Sequence, residues 1–557
     1  ASHATYQALL TLLDGQANGT TAVTLDGKGC TIKTEIGLFK TIGNVTIKNL
    51  NIESVNEAGI TVTNNDFVAS TGVVMTFGVI AGVAKHPTEL ENVTVDVDVT
   101  YTDNAGTNEL RIGALIGESN FSKVTNCVNN GDVTVTPTTS CGPLTVGGLF
   151  GWQNRLSAAL QATGCVNNGN IIAIRAGNVA GTLFVGGIFG VSWGVFDEVK
   201  SSMNTGNITT DQDFNTHVRV GGVVGYLFAL HAIDCINLGD ISLNYSCATA
   251  FQDYTIAQIG GILGTGHYNM QITRCFNAGD IECTTSGASF RPAIAGIVPW
   301  HNKGATTITD CVNIGNIDPS CSDVKSGICG HNNFVQTVLK NCYTISISGE
   351  YNGFNQMSTY NGGTASENCD VYCVSVPSSV ATLLENVKTK QVNNAKALIA
   401  TVLAVSDYNS SFAHDKDDGI FLSTFDGFTI AAGDENGKFV TEIDKDFYED
   451  VAAIAGKVEF GGIVTLSEYV DVIGEFTHEA FKDYLDSVKT PDNKFKDITA
   501  LYMNATFQDG RKTQTLTSDE LVGDKYVVNV TLKNATAGTD YVARTFVKIG
   551  DFYLYSK

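Results

Sequence analysis

Several residue types that would point to other classes of protein are scarce in this sequence of 557 residues. Charged residues make up 16%, and 8 prolines stand beside 58 glycines, a composition that fits neither a disordered chain nor a largely helical one. No apolar run approaches the ~20 residues of a transmembrane helix. Basic residues are few, with 34 Lys and Arg against 57 Asp and Glu for a net charge of −23. That charge repels nucleic acids and anionic membrane surfaces, so neither is expected as a partner. Membrane insertion is not expected either, because the sequence has no long apolar run.

Charge density divides the chain near Pro377. Residues 1–375 contain 16 basic and 29 acidic residues, whereas the shorter stretch 376–557 contains 18 and 28. The first residues show no basic region followed by an apolar stretch, which is consistent with a processed form. We predict a capping segment at 1–22, a repeat region at 23–350, a linker with a helical segment at 351–433 and a C-terminal module at 434–557.

Glycine recurs with a period of about 35 residues, counted along the sequence. A motif of the form Gly-x-apolar-x-Gly occurs six times, with degenerate copies starting at Ala295 and Ser326. The six copies start at Gly78, Gly113, Gly147, Gly186, Gly221 and Gly260. A fixed period of this size is typical of solenoids, propellers and other repeat architectures.

A second motif, Cys-x-Asn-x-Gly-Asp/Asn-apolar, alternates with the first, so each structural unit has two fixed corners. Its copies start at Cys127, Cys165, Ser202, Cys235, Cys275 and Cys311, with a remnant at Cys342. If the units stack ~4.8 Å apart, the asparagines form a ladder of amide hydrogen bonds. They are Asn129, Asn167, Asn204, Asn237, Asn277 and Asn313. We expect the glycines to permit positive φ at the corner beside them.

Short β-branched segments lie between the motifs, for example 259–263 and 271–276, and Gly, Asn and Asp turns separate them. The segments leave no room for a crossover helix in every unit, and the units repeat the same order of segments. We therefore predict an all-β right-handed parallel β-solenoid (β-helix) of about eight or nine coils. The alternative is a propeller, whose blades need ~40 to 50 residues. Helical spacing over 5–13 predicts a cap on the first coil.

Residues 376–557 predict a small α+β module. Helices are predicted over 379–407, 444–455 and 477–488. Strands are predicted over 439–443, 458–466, 498–507, 526–532, 541–548 and 552–555.

The repeats resemble the GLUG-repeat family of secreted and cell-surface proteins, which is named for a Gly-Leu-hydrophobic-Gly core. The matching stretches are Gly148 to Gly151 and Gly187 to Gly190, and Leu25 to Ile32 looks like a first coil of such proteins. The tail, including Phe460 to Val464, is similar to a module of large surface proteins of anaerobic Gram-positive bacteria. The resemblance implies an extracellular or cell-surface location and an adhesive or structural role, with no catalytic residues.

The 14 cysteines fall into two groups. Those of the second motif share one position and favour packing in the core, where Ser202 substitutes once. The others predict loop disulfides in an oxidising compartment, with connectivity left open. They include Cys141, Cys247, Cys283, Cys321, Cys329, Cys369 and Cys373. Cys369 and Cys373 lack a partner pair at zinc-site spacing, so neither a metal nor a cofactor is expected.

Ten Asn-x-Ser/Thr sequons permit glycosylation if the source is eukaryotic, and chance alone accounts for most of them. They are at Asn18, Asn44, Asn92, Asn120, Asn207, Asn244, Asn409, Asn504, Asn529 and Asn534.

All three tryptophans lie just after a copy of the first glycine motif, and tyrosines occupy the same corner in other coils. Aromatic faces at coil spacing are suited to stacking on sugar rings. The interpretation that we favour is that the rings pack under adjoining loops, with a glycan-binding strip as the alternative. The predicted strip consists of Trp152, Trp193, Tyr226, Tyr268 and Trp300.

The pattern of the repeated carboxylates does not indicate a catalytic pair. Asp132, Asp240 and Asp280 share a corner that Asn fills in other coils, at 170, 207 and 316. A turn accepts this exchange, whereas the acid and base of a glycoside hydrolase do not. The arginines of the repeat region share no column, as a polysaccharide lyase would require. The sequence also has no zinc-protease helix motif, phosphate loop or Gly-x-Ser-x-Gly elbow.

We therefore predict a non-catalytic extracellular structural or adhesive surface protein, with self-assembly into filaments or arrays as one way of acting. The alternative is a carbohydrate-binding or carbohydrate-active β-helix protein, such as a polysaccharide lyase or hydrolase. The expected partners are further copies of the chain and glycans.

Overall fold

The computed structural model describes residues 22–346 with short gaps and a set of strands beyond them. The gaps are 72, 104, 107, 138–140, 155–159, 176–180, 213–216, 248–255, 288–291, 302–303, 310, 318–323 and 333–336. The later strands are Cys369–Ser375 and eight in the C-terminal part. The chain divides into two units, residues 1–346 with 350–373, and residues 347–349 with 374–557. The predicted helices over 5–13, 379–407 and 477–488 and the predicted strand over 498–507 lie outside the described residues. So does the predicted helix over 444–455, apart from Asp444, which ends the strand Lys438–Asp444.

The repeats form a β-solenoid in which each coil contributes strands to three faces. Neighbouring coils pair in parallel and in register, so that Leu144 lies between Leu110 and Leu183. Within the described solenoid, the one antiparallel pairing joins Val68–Thr71 to Val74–Phe77. A propeller blade is built from antiparallel strands, so this parallel pairing confirms the solenoid.

The first face is the longest sheet and carries both motif corners. Its strands are Val23–Thr34, Phe39–Ser54, Ala81–Asp96, Ile116–Thr125, Val128–Asn129, Phe150–Gln153, Gln161–Thr163, Val166–Asn167, Phe189–Lys200, Met203–Asn204, Val224–Ile233, Ile236–Asn237, Met270–Thr273, Phe276–Asn277, Thr306–Thr309, Val312–Asn313, Thr337–Ser346 and Cys369–Ser375. A two-stranded extension of it consists of Val298–His301 and Cys329–Asn332.

The other two faces are shorter and follow in order along each coil. The second face consists of Ile60–Val62, Val99–Tyr101, Val133–Val135, Ile171–Arg175, Ile208–Gln212, Ile241–Cys247 and Ile281–Gly287. The third face consists of Val68–Thr71, Val74–Phe77, Glu109–Gly113, Leu144–Gly147, Leu183–Gly186, Val218–Gly221, Ala257–Gly260, Ala293–Ala295 and Val324–Ser326.

About six turns carry the asparagine corner, from Asn129 to Asn313, fewer than the eight or nine coils predicted. The coils before Cys127 lack this corner. They pair instead through long strands, Phe39–Ser54 and Ala81–Asp96 among them. The coil count therefore depends on whether such irregular end coils are included.

The core lies inside the coils, where alternate strand residues stack as columns of aliphatic side chains. Leu110, Leu144 and Leu183 form one such column, and all three are fully buried. Each buried side chain of this size contributes about 2 kcal/mol of hydrophobic free energy. Val and Ile form further interior columns, such as Ile112, Val146 and Val185, because β-branched side chains pack well on a pleated surface.

The motif glycines are needed for space, and the expectation of positive φ at these positions was wrong. Gly169 and Gly148 have ordinary φ values, but a Cβ on Gly169 would overlap the carbonyl oxygen of Gly131. A Cβ on Gly148 would overlap both the carbonyl oxygen of Gly187 and the side chain of Asn167. The two motifs recur together because the glycines of one leave room for the asparagines of the other.

Positive φ occurs instead at the residue just before the cysteine column, a feature that the sequence reasoning missed. Coil after coil, this position is left-handed, with φ between 48° and 68°. The residues are Asn126, Gly164, Ser201, Asp234 and Arg274. Asn, Gly and Asp are the residues that most readily adopt this conformation, and their recurrence before the cysteine was the available signal.

The C-terminal unit contains two antiparallel four-stranded sheets within its described residues. One consists of Phe428–Ala431, Lys438–Asp444, Leu521–Val522 and Lys525–Thr531. The other consists of Glu459–Leu466, Lys512–Gln514, Tyr541–Ile549 and Phe552–Tyr555. Five of these strands match predicted ones to within one residue at each end.

Candidate ligand-binding corner and the polar ladders

The motif asparagines form a continuous buried ladder. The Nδ2 atom of Asn129 donates to Oδ1 of Asn167 at 2.8 Å, and the same 2.8 Å bond repeats from each coil to the next as far as Asn313. The second Nδ2 proton donates within the same coil, for example from Asn129 to the carbonyl oxygen of Gly131 at 2.7 Å. All six side chains are buried. Both amide protons of the first five, Asn129 to Asn277, are therefore used inside the solenoid.

The repeated Asp/Asn corner forms a second ladder at the surface. Oδ1 of Asp132 accepts the backbone N–H of Asn170 at 2.7 Å, and Oδ1 of Asn170 accepts that of Asn207 at 3.0 Å. Asp240 and Asp280 accept in the same way from the next coil, each at 2.8 Å. Because a single side-chain oxygen accepts the backbone N–H of the next coil, a carboxylate and an amide are interchangeable here. A structural use of the carboxylates therefore accounts for the pattern.

An aromatic ladder fills the corner between the third and first faces. It consists of Trp152, Trp193, Tyr226 and His267, one from each of four successive coils. Successive ring centroids are 5.9, 5.4 and 5.4 Å apart. Trp152 and Trp193 lie nearly parallel, with 18° between their planes. Three half-buried or exposed rings flank the ladder, namely Phe184, Phe228 and Tyr268.

Arg111 closes one end of the aromatic ladder. Its guanidinium carbon lies 3.9 Å from the centre of the Trp152 ring, a cation–π contact. Ion pairs to Glu109 at 2.6 Å and to Glu118 at 2.9 Å hold the guanidinium in place. Asn154 accepts the indole N–H of Trp152 at 3.0 Å and donates to Glu118. The polar edge of this ring is thus tied into a charged network.

Asp197 positions Trp193. Its carboxylate accepts the hydroxyl of Ser192 at 2.6 Å, the N–H of Gly194 at 3.1 Å and the N–H of Leu160 at 2.9 Å. These bonds fix the irregular pairing between 192 and 197 that presents Trp193 to the ladder. Burial raises the pKa of this carboxyl group, with the three hydrogen bonds opposing the shift. The sequence reasoning missed Asp197 because it occurs in one coil only.

The structure brings together three of the five residues of the predicted strip, Trp152, Trp193 and Tyr226. Burial raises the pKa of Tyr226, with Arg219 opposing the shift. Tyr268 lies at the edge against Phe228, with ring centroids 4.6 Å apart, and is 40% exposed. Trp300 is only 5% exposed and packs on Ala293.

Stacking determines what this corner offers to a ligand. The faces of Trp193 are turned towards Trp152 on one side and Tyr226 on the other, and Trp152 has Arg111 on its remaining face. The ladder thus presents ring edges along its length. Tyr268, as the most exposed ring, offers the most accessible aromatic surface for a sugar.

The cysteines differ in their surroundings. Cys141, predicted to join a loop disulfide, is instead a buried free thiol, and burial raises its pKa to about 12. Cys283 and Cys329 are also buried. The side chains of Cys247, Cys321, Cys369 and Cys373 lie outside the described part of the structure.

Three sequon asparagines are exposed, Asn92, Asn207 and Asn244, whereas Asn44 and Asn120 are half-buried. Asn529 lies on Lys525–Thr531, where only the backbone is described. The other sequon asparagines lie outside the described residues; they are Asn18, Asn409, Asn504 and Asn534.

Among the described residues, His, Cys, Asp and Glu side chains do not gather in groups of three that could hold a metal ion. In the same part of the chain, no helix has the length and apolar character needed to span a bilayer. Comparisons of the chain with protein-family models, curated proteins and solved structures return no match.

Proposed function

We propose that this chain is a non-catalytic extracellular structural or adhesive surface protein. The observation that carries the proposal is the use of the repeated polar side chains. Asn129 and its successors bond to one another, and Asp132 and its successors bond to the backbone of the next coil. The repeats therefore supply a scaffold, and its outer surface is what remains for contact with partners.

An extracellular or cell-surface location is part of the proposal and rests on the resemblance of the repeats to GLUG-repeat proteins. Sequons on exposed asparagines such as Asn92 and Asn244 are compatible with such a location. Self-assembly into filaments or arrays is a further part of it. Stacked parallel coils end in strands with unsatisfied backbone groups, and these promote association unless they are covered.

The experiment that tests the absence of catalysis is incubation with a panel of acidic and neutral polysaccharides. New reducing ends report hydrolysis, and ultraviolet absorbance of an unsaturated product reports a lyase. We expect neither. Turnover that one carboxylate substitution abolishes, for example at the buried Glu118, would replace this proposal with a carbohydrate-active one.

A carbohydrate-binding function is the second candidate, and the aromatic corner supports it. Trp152, Trp193 and Tyr226 are half-buried rings with neighbouring polar groups, and Tyr268 is exposed. Aromatic rings with polar edges are suited to contact with sugars.

A glycan array tests this second candidate. Tyr268→Ala should weaken any hit by roughly 1 to 3 kcal/mol, as loss of one aromatic contact does. Trp193→Ala should weaken it comparably by disrupting the ladder. Trp300→Phe, which keeps an aromatic ring at a buried position, is the control and should leave binding unchanged. An empty array would leave the rings with a packing role only.

A further inference from the structure

The cysteines of the second motif form a buried column along the solenoid. In successive coils the position holds Cys127, Cys165, Ser202, Cys235, Cys275, Cys311 and Cys342, all fully buried. Backbone hydrogen bonds link neighbouring coils at this position, since the N–H groups following Cys165 and Cys275 donate to the carbonyls of Cys127 and Cys235 at 2.9 Å. Cys311 and Cys342 are neighbours in the same way, because Val312 pairs with Tyr343.

Neighbouring cysteines in this column lie within the range of a disulfide. Paired strands run about 4.8 Å apart, and the Cα atoms of disulfides are usually about 4.4 to 6.8 Å apart. Four of the column sulfurs donate to a backbone carbonyl of the preceding coil, each three residues before the column position of that coil. The bonds run from Cys235 to Val199 at 3.3 Å, from Cys275 to Ala232 at 3.5 Å, from Cys311 to Ile272 at 3.8 Å and from Cys342 to Ile308 at 3.4 Å. Each sulfur is therefore turned towards the coil before it.

Ser202 divides the column into a run of two cysteines and a run of four. Its hydroxyl donates to the carbonyl of Lys200 at 3.0 Å and accepts the N–H of Cys165 at 3.2 Å, so a hydroxyl fits this position. Both runs have an even number of members. Pairing between neighbours can then use every cysteine, and in the run of four only one arrangement does so.

We propose that the column is a site of oxidative modification at which a small-molecule disulfide closes three bonds between coils. The bonds are Cys127–Cys165, Cys235–Cys275 and Cys311–Cys342. In each, one column sulfur attacks the small disulfide and releases one small thiol. The second column sulfur then displaces the other. Two protein thiols are oxidised to one S–S bond, and the small disulfide is reduced to two thiols that carry away both protons.

Burial controls when this exchange occurs. The thiolate is the reactive species, and burial raises the pKa of Cys165 to about 12. The exchange therefore proceeds while the coils fold or when they open locally. Side chains of parallel strands point the same way, so bond closure also draws neighbouring Cβ atoms about 1 Å closer than the strand spacing. Such strained bonds are readily reduced, which makes the modification reversible.

The test is disulfide mapping of the full chain refolded with oxidised glutathione. Remaining thiols are alkylated under denaturing conditions, and the digested protein is examined by mass spectrometry. We expect the three named cross-links, each two hydrogens lighter than its reduced peptides, with loss of alkylation at these six cysteines and its return after reduction. Alkylated column cysteines, glutathione adducts on them, or Cys275 joined to Cys311 would overturn the proposal.

Cys275→Ser is the matched variant, because serine already occupies this column at Ser202. It should keep the Cys311–Cys342 cross-link and leave Cys235 alkylated. Cys342→Ser is the second variant and should keep Cys235–Cys275 while leaving Cys311 alkylated. Loss of the expected remaining cross-link in either variant, or a new cross-link from Cys235 or Cys311 to another cysteine, would contradict the neighbour pairing.

Discussion

At the scale of single residues, Asn204 shows how one side chain joins three coils. It accepts from Asn167 at 2.8 Å, donates to Asn237 at 2.8 Å and donates to the carbonyl of Gly206 at 2.8 Å. The side chain is fully buried. Its removal would take these partners from the Asn167 amide donor, the Asn237 amide oxygen and the Gly206 carbonyl oxygen, with no water at the buried site to replace them.

We predict that Asn204→Ala lowers the free energy of unfolding by about 3 kcal/mol, because unsatisfied buried polar groups cost about 1 to 3 kcal/mol each. Chemical denaturation monitored by circular dichroism measures the loss. The control is Asn207→Ala at an exposed site, where water replaces the lost acceptor and the cost stays below about 1 kcal/mol. Equal losses in the two variants would contradict the structural role of the buried ladder.

Asp197 makes a pH-dependent contribution to stability. Burial raises its folded-state pKa above the ordinary value of 3.8, so the folded state binds the proton more tightly than the unfolded state. The stability that this group contributes is full below pH 3.8 and is lost as the pH rises through the raised pKa.

We therefore predict that the wild type gains stability relative to Asp197→Asn as the pH falls from 7 towards 4. Thermal unfolding of both proteins across this range measures the difference, and the variant corrects for all other titrating groups. A raised pKa would be contradicted if the difference in stability between the two proteins stays constant as the pH falls. It would also be contradicted if the difference changes in favour of the variant.

Residues that recur in every coil could be predicted from the sequence, and residues that act once could not. The period placed Asn204 and its equivalents in a column, and stacking then determined their partners. Asp197 and the Arg111 network occur in single coils, so periodicity carries no information about them. The steric requirement for glycine could not be predicted either, because the close approach of Gly148 to the next coil is a tertiary contact.

At the scale of the elements, the corner between the third and first faces depends on glycine for space. A Cβ on Gly187 would overlap the carbonyl oxygen of Gly222 and the side chain of Asn204. Gly222 belongs to the next coil, and Asn204 is held in the buried asparagine ladder. The strands on either side therefore cannot move apart without breaking the asparagine ladder.

We predict that Gly187→Ala destabilises the solenoid by about 2 to 3 kcal/mol through overpacking. Gly106→Ala is the control, because its Cβ would meet no atom within 4 Å although φ is +64°. That variant should cost only the left-handed strain of about 1 kcal/mol. Thermal unfolding compares the two, and an equal or smaller loss in Gly187→Ala would show that the corner accommodates a methyl group.

The strand order could be predicted at this scale, while the corner geometry could not. Parallel pairing followed from units of one length with the same order of segments. The aromatic strip was predicted as a row of exposed faces, but Trp152, Trp193 and Tyr226 turn their faces towards one another. The distance between coils is close to the stacking distance of aromatic rings, which favours this arrangement.

At the scale of the whole molecule, charge governs association. The net charge of −23 makes copies of the chain repel one another, and salt screens this repulsion over about 10 Å at 0.1 M. We predict that filaments or arrays form as salt and protein concentration rise. Electron micrographs over a series of both concentrations provide the measurement, and isolated particles under every condition would rule out self-association.

The central claim is that the repeated polar side chains stabilise the scaffold. Substitutions at Asp132, Asp240 and Asp280 test this claim most directly. The triple Asp→Asn variant keeps every side-chain acceptor, whereas the triple Asp→Ala variant removes all three. We predict that the Asn variant unfolds at the same temperature as the wild type. The Ala variant should lose about 0.5 to 1 kcal/mol per site, measured by thermal unfolding. A large loss in the Asn variant would show that the carboxylate charge itself matters at this corner and would contradict the scaffold role.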